Sequence, residues 1–107
     1  MEQPNYSYLN SFTGGDKEFE KKILAVIKSE FPTERNTYAG NIDSKIFDIA
    51  AKNVHKLKHK ISLLGLEESY ALANKHELNL LEGNNSLHDN FNAILDIMEQ
   101  FLTDLQL

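Results

Sequence analysis

Apolar side chains recur every three or four residues between Ile46 and Gly65, at Ile46, Ala50, Val54, Leu57, Ile61 and Leu64. That spacing confines the stretch to one amphipathic helix with its apolar face in a core. At about 100° per residue, His55 falls roughly 145° from the middle of that face, so it points to solvent. One turn away lie Ala51, Lys52, Lys58 and His59, and Ser62 lies two turns on. A neutral imidazole in water, beside small residues and a lysine, is a competent nucleophile because its ordinary pKa is about 6.5.

The remaining segments read as helices too. Asn5 to Phe12 is expected to form a short leading helix with Tyr6, Leu9 and Phe12 on one side. Thr13-Gly14-Gly15 ends it, and Gly15 or Asp16 caps the next, which runs from Asp16 to Phe31 with Phe19, Ile23, Val26 and Ile27 inward. Pro32 disfavours the helical region in its predecessor, so a kink or a fresh start is expected there. A short continuation capped by Thr33 would then end near Gly40. Asp43 or Ser44 caps the central helix. Leu66 to Leu81 follows, with Leu66, Tyr70, Ala73 and Leu80 inward. After the turn at Gly83-Asn84-Asn85, Ser86 and Asp89 have capping-box spacing. The last helix carries the widest apolar stripe: Leu87, Phe91, Ile94, Leu95, Met98, Phe101, Leu102 and Leu105. No segment alternates with the period of two that a strand needs. The expected fold is all-α: an antiparallel up-and-down four-helix bundle with a short extra N-terminal helix, residues 1–107 forming one domain.

Composition narrows the function classes. No apolar run approaches the about 18 residues of a membrane span, and MEQPNYSYLNSF lacks the layout of a signal peptide. The chain has no cysteine, so disulfides and thiolate metal sites are excluded and a cytoplasmic setting fits. Its net charge of −5 disfavours nucleic acid as a partner. Yet Lys52, Lys56, Lys58 and Lys60 crowd around His55 with no acid between Lys52 and Lys60. The ordinary reading of such a run is a solvated helix face; the alternative is a surface for a negative partner or a negative transferred group.

Most enzyme signatures are missing. Neither a phosphate-binding G-x-x-x-x-G-K-[ST] loop nor G-x-G-x-x-G occurs. His76-Glu77 begins like a zinc-protease motif, but Leu80 stands where the second ligand belongs. None of the four histidines has Glu three residues before it, as di-iron bundles require. His55 and His59 have the i, i+4 spacing that shares a metal, but no carboxylate lies near them in sequence, so no metal is expected.

Val54-His55-Lys56-Leu57-Lys58, with Gly65 ten residues after the histidine, resembles the signature of histidine-containing phosphotransfer domains. That pattern is a histidine, a lysine three on and a glycine ten on. Tyr8-Leu9 followed by Gly14-Gly15-Asp16-Lys17-Glu18-Phe19 is similar to the family's opening, and Leu66 to Glu77 is similar to the helix after its glycine. The resemblance spans roughly residues 8 to 82, and the final helix fits by pattern alone.

The resemblance implies a phosphocarrier without kinase activity. It would accept a phosphoryl group from the aspartate of one receiver domain onto His55 and pass it to another. The Mg²⁺ would belong to the receiver, and a hybrid histidine kinase is a further possible partner. Phosphoryl transfer asks chiefly for positioning and positive charge, which Lys58, one turn from His55, is placed to supply. Glu77, twelve residues after Gly65, is expected to accept the Nδ1 proton of His55 and leave Nε2 free. Ala51, Lys52, His59 and Ser62 would line the surface a partner approaches. His59 is the one departure, since the family commonly has glycine or a small residue after the motif lysine; we read it as a specificity element. The chain is expected to be a monomer. The competing reading is a helical docking module that binds receivers or other proteins without carrying phosphate.

Overall fold

The computed structural model describes residues 2–107. It contains five helices, α1 (Ser7–Thr13), α2 (Lys17–Asp43), α3 (Phe47–Leu63), α4 (Glu67–Leu81) and α5 (His88–Asp104), and no strand among the described residues. α2 packs on α3 and α5, α3 on α4, and α4 on α5, while α1 lies against α2 and α3. One core runs through the molecule, which measures 41 × 22 × 21 Å. No helix among the described residues is long and apolar enough to cross a membrane.

Asp16 begins α2 by accepting the Phe19 N–H at 3.1 Å, one of the two caps expected there. The helix then runs unbroken through Pro32 to Asp43, against the expected break and the end near Gly40. Proline inside a helix costs about 3 kcal/mol, but Pro32 is exposed, so the carbonyl its ring leaves unpaired faces water. Phe31 on one side of it and Tyr38 and Ile42 on the other are all buried. At about 1.5–3 kcal/mol for each buried large apolar side chain, their burial outweighs the proline.

Continuity also fixes which face turns inward. A single helix must extend the stripe of Ile42, Tyr38 and Phe31 backward, and that line passes through Ile27, Leu24 and Glu20. Phe19 and Val26, expected inward, are therefore exposed, while Ile27 is buried and Ile23 packs at the core's edge. Tyr70 on α4 is displaced for a similar reason. The inner line of that helix is Leu66, Ser69, Ala73, His76 and Leu80, which leaves Tyr70 at the surface.

Two turns differ from expectation. Neither Asp43 nor Ser44 caps α3: Asp43 is the last residue of α2, and the α3 N-terminus has no side-chain cap. α2 ends instead in a Schellman turn, with Ile46 N–H on Asn41 O and Lys45 N–H on Ile42 O. Lys45 holds the left-handed position at φ 59°, where glycine is usual. Ile46 then lies outside α3 and is exposed, whereas Ala50, Val54, Leu57, Ile61 and Leu64 are buried as expected. The capping box at Ser86 and Asp89 does not form. The Ser86 N–H donates to Asn84 Oδ1 at 2.8 Å, and α5 starts at His88 without a side-chain cap. Its stripe is otherwise as read, with Phe91, Ile94, Leu95, Met98 and Leu102 buried and Phe101 and Leu105 at the edge.

The segment before α1 fastens the α3–α4 turn. Asn5 N–H donates to Leu64 O at 2.9 Å and its side-chain amide to Gly65 O at 3.2 Å. Gly65 sits at φ 75°, and a Cβ there would collide with the Asn5 amide, so both backbone and space demand glycine. Glu2 completes the clasp by accepting the Glu68 and Ser69 N–H groups at 3.0 and 2.9 Å, capping α4. Burial raises the Glu2 carboxyl, but these backbone hydrogen bonds outweigh it and hold the group below its ordinary range.

Candidate functional site

α3 and α4 form the most extensive helix pair of the fold, joined by the tight turn at Gly65. The antiparallel return this turn imposes brings Glu77 back beside His55. His55 Nδ1 lies 3.1 Å from Glu77 Oε2, the His55 side chain being 60% exposed and that of Glu77 17%. Because a carboxylate only accepts, the neutral imidazole carries its proton on Nδ1 and leaves the Nε2 lone pair free. Glu77 is the residue expected beside His55.

Lys58 lies against α4. It is 7% exposed, with Nζ 2.8 Å from Glu77 Oε1 and donating to Asn74 Oδ1 at 3.0 Å. The Glu77 contact is an ion pair outside aligned hydrogen-bond geometry, since that carboxylate oxygen has no hydrogen-bond partner. Nζ also sits 5.4 Å from the centroid of the Tyr70 ring. Lys58 thus faces α4, and its charge reaches His55 through Glu77.

The basic patch is dismantled in the same way. Lys60 is buried and donates to Glu30 Oε1 at 2.9 Å and Glu34 Oε2 at 3.0 Å, and Lys56 Nζ lies 3.6 Å from Glu34. Lysine pairing holds the Glu30 carboxyl below its ordinary range. Only Lys52 of the four lysines is exposed without an acidic partner among the described residues. The two acids on α2 escaped the sequence reading, which looked only along α3, although their i, i+4 spacing marks one helix face. Asn74 was missed too, yet it stands three residues before Glu77 and therefore on the same side of α4.

Of the residues expected to line a partner surface, Lys52 and His59 are exposed and Ser62 is half-buried. Ala51 is not on that surface. It is 2% exposed because the arc of α3 covered by α2 and α4 is wider than the apolar spacing alone indicates. The His59 ring stands edge-on to His55, centroids 5.4 Å apart. Beyond it, a shallow groove between α2 and α3 is walled by Phe19, Ile23, Val26 and Leu63. Its wall includes the apolar residues of α2 that the core leaves out.

The other two histidines belong to a buried network. The Tyr38 hydroxyl lies 2.8 Å from His76 Nε2 and 2.7 Å from His88 Nδ1. One hydroxyl proton serves two nitrogens, so one imidazole must donate. His76 Nδ1 is buried without a partner, and an orphaned lone pair is tolerated better than an orphaned N–H. His76 therefore carries its proton on Nε2 and donates to Tyr38, which donates to His88. Burial pushes the Tyr38 hydroxyl up and keeps it protonated. Neither His76 nor His88 has a carboxylate partner of the kind His55 has.

Among the described residues no group of three or more His, Cys, Asp or Glu side chains converges as a metal site. Compared with known protein families, curated proteins and solved structures, the chain matches none of them.

Proposed function

We propose that this chain is a phosphocarrier of a relay between receiver domains, with His55 as the acceptor. The observation that carries the reading is the Glu77–His55 pair, which holds the Nδ1 proton and turns a free Nε2 toward solvent. In this reading the Nε2 lone pair attacks the phosphorus of an aspartyl phosphate. The N–P bond forms as the P–O bond breaks, and the aspartate leaves as a carboxylate. No proton need move, because the proton stays on Nδ1, hydrogen-bonded to Glu77, while the ring gains positive charge. Lys58 is a positioning residue whose ammonium, 2.8 Å from Glu77 Oε1, holds that carboxylate in place.

The resemblance to histidine-containing phosphotransfer domains supports the same reading. His55, Lys58 and Gly65 carry the motif, and each has a physical task in the structure. We place α2 to α5 as an antiparallel up-and-down four-helix bundle with α1 as the extra helix. The docking surface comprises His55, His59, Lys52 and the apolar groove between α2 and α3. The partners are receiver domains, which bring their own Mg²⁺ and acidic pocket, and a hybrid histidine kinase is a possible source of one. The setting is the cytoplasm and the chain works as a monomer. A docking module that binds receivers without accepting phosphate is the second reading, and the exposed groove beside His59 favours it equally. Incubation with a receiver charged on its aspartate separates the two. The phosphocarrier acquires an acid-labile, base-stable phosphate and surrenders it to a second receiver, whereas a docking module binds and stays unlabelled.

A further inference from the structure

Three side chains of α4 surround the Lys58 ammonium, and they do not hold it alike. Asn74 Oδ1 accepts a hydrogen bond from Nζ at 3.0 Å. The Tyr70 ring lies beneath it, the centroid 5.4 Å away and within the range of a cation–π contact. Glu77 Oε1 is nearer, at 2.8 Å, yet takes no aligned hydrogen bond from it. The other carboxylate oxygen of Glu77, Oε2, lies 3.1 Å from His55 Nδ1. We propose that Asn74 is a positioning residue for the acceptor: by taking the directed hydrogen bond of Lys58, it leaves the Glu77 carboxylate to His55. This rests on the phosphocarrier reading and deepens it by extending the set of groups that orients His55 from Glu77 and Lys58 to Asn74.

The physical reason is competition for one carboxylate. An ammonium only donates, and Lys58 is 7% exposed, so water is a poor substitute for an acceptor it loses. Among the described residues, the oxygens paired with its Nζ belong to Asn74 and Glu77 alone. Without the Asn74 amide oxygen, the ammonium must direct its hydrogen bond at Glu77. The carboxylate then turns toward Lys58, and Oε2 leaves the place where it meets the Nδ1 proton of His55. A neutral imidazole without that partner divides its proton between the two nitrogens, so a smaller fraction presents the bare Nε2 that attacks phosphorus. Asn74 itself is exposed, so the core does not depend on it.

Nitrogen NMR of His55 and labelling by phosphoramidate, a small donor that needs no docking surface, test this together. The His55 Nε2 lone pair forms the new N–P bond as the donor's own P–N bond breaks, and the donor nitrogen, already protonated, leaves as ammonia. Asn74→Leu keeps the size of the side chain and removes the acceptor. In this variant the ring proton of His55 should move from Nδ1 toward Nε2, and labelling should fall roughly fivefold. Asn74→Asp, which restores an acceptor oxygen, should return both readings close to the wild type. In a Lys58→Met background there is no ammonium to redirect, so adding Asn74→Leu should change neither. A wild-type tautomer and rate in Asn74→Leu would overturn the proposal. So would a loss that persists in the Lys58→Met background, or one that Asn74→Asp fails to repair, since neither would be exercised through the Lys58 hydrogen bond. A wild-type protein that phosphoramidate never labels on His55 removes the phosphocarrier reading itself, and the tautomer measurements then still decide whether Asn74 orients the ring.

Discussion

Replacing His55 by glutamine is expected to reduce phosphate acceptance to background while leaving the helical circular dichroism unchanged. The side chain is 60% exposed, so the core does not depend on it. No other histidine can substitute. His76 is fully buried with Nε2 on Tyr38, and His88 directs Nδ1 at the same hydroxyl. His59 is exposed, but among the described residues no carboxylate is paired with it. Labelling of His55→Gln by a charged receiver, followed by peptide mapping, checks this. Phosphate that persists at the wild-type level, or appears on His59, contradicts the assignment.

The second large effect is on stability. Burial first, and the proximity of His88 second, press His76 down from 6.5 to about 4. A histidine depressed in the folded state binds its proton more readily in the unfolded chain. Its contribution is therefore complete above about pH 6.5 and is lost as the pH falls toward 4. A shift of this size corresponds to about 3 kcal/mol, with most of the loss complete near pH 4.5. Urea unfolding across this range should show the wild type losing stability faster than His76→Leu, in which Tyr38 still donates to His88. Parallel profiles would mean that His76 is not held neutral by the fold. Glu2 adds a separate loss in a more acidic window: its carboxyl is depressed, so its cap weakens as that group protonates.

His76 shows where sequence reading reached its limit. Periodicity placed Leu66, Ala73 and Leu80 inside α4 correctly, but it scored a histidine as polar and gave the inner position to Tyr70. Only the three-dimensional partner, a tyrosine 38 residues away, makes the burial of His76 tolerable. The same limit applies at Pro32. Its local preference was legible, while the burial of Phe31 and Tyr38 that overrides it depends on α2 lying against the other helices. At the candidate site, His55 was read as outward from a single helix, and Glu77 was placed beside it by the family resemblance. The inward turn of Lys58 was not legible. A lysine on the outer half of an amphipathic helix is ordinarily solvated, and the acid that captures this one lies on another helix. Ala51 was misplaced because a small residue carries little hydrophobic signal of its own.

Everything proposed for His55 depends on Glu77 accepting a hydrogen bond from the Nδ1 proton, and nitrogen NMR of the imidazole measures this most directly. The account predicts a wild-type His55 protonated on Nδ1 with Nε2 bare, and a Glu77→Ala variant in which the proton redistributes toward Nε2. A wild-type ring protonated on Nε2, or a tautomer indifferent to loss of the carboxylate, would contradict it.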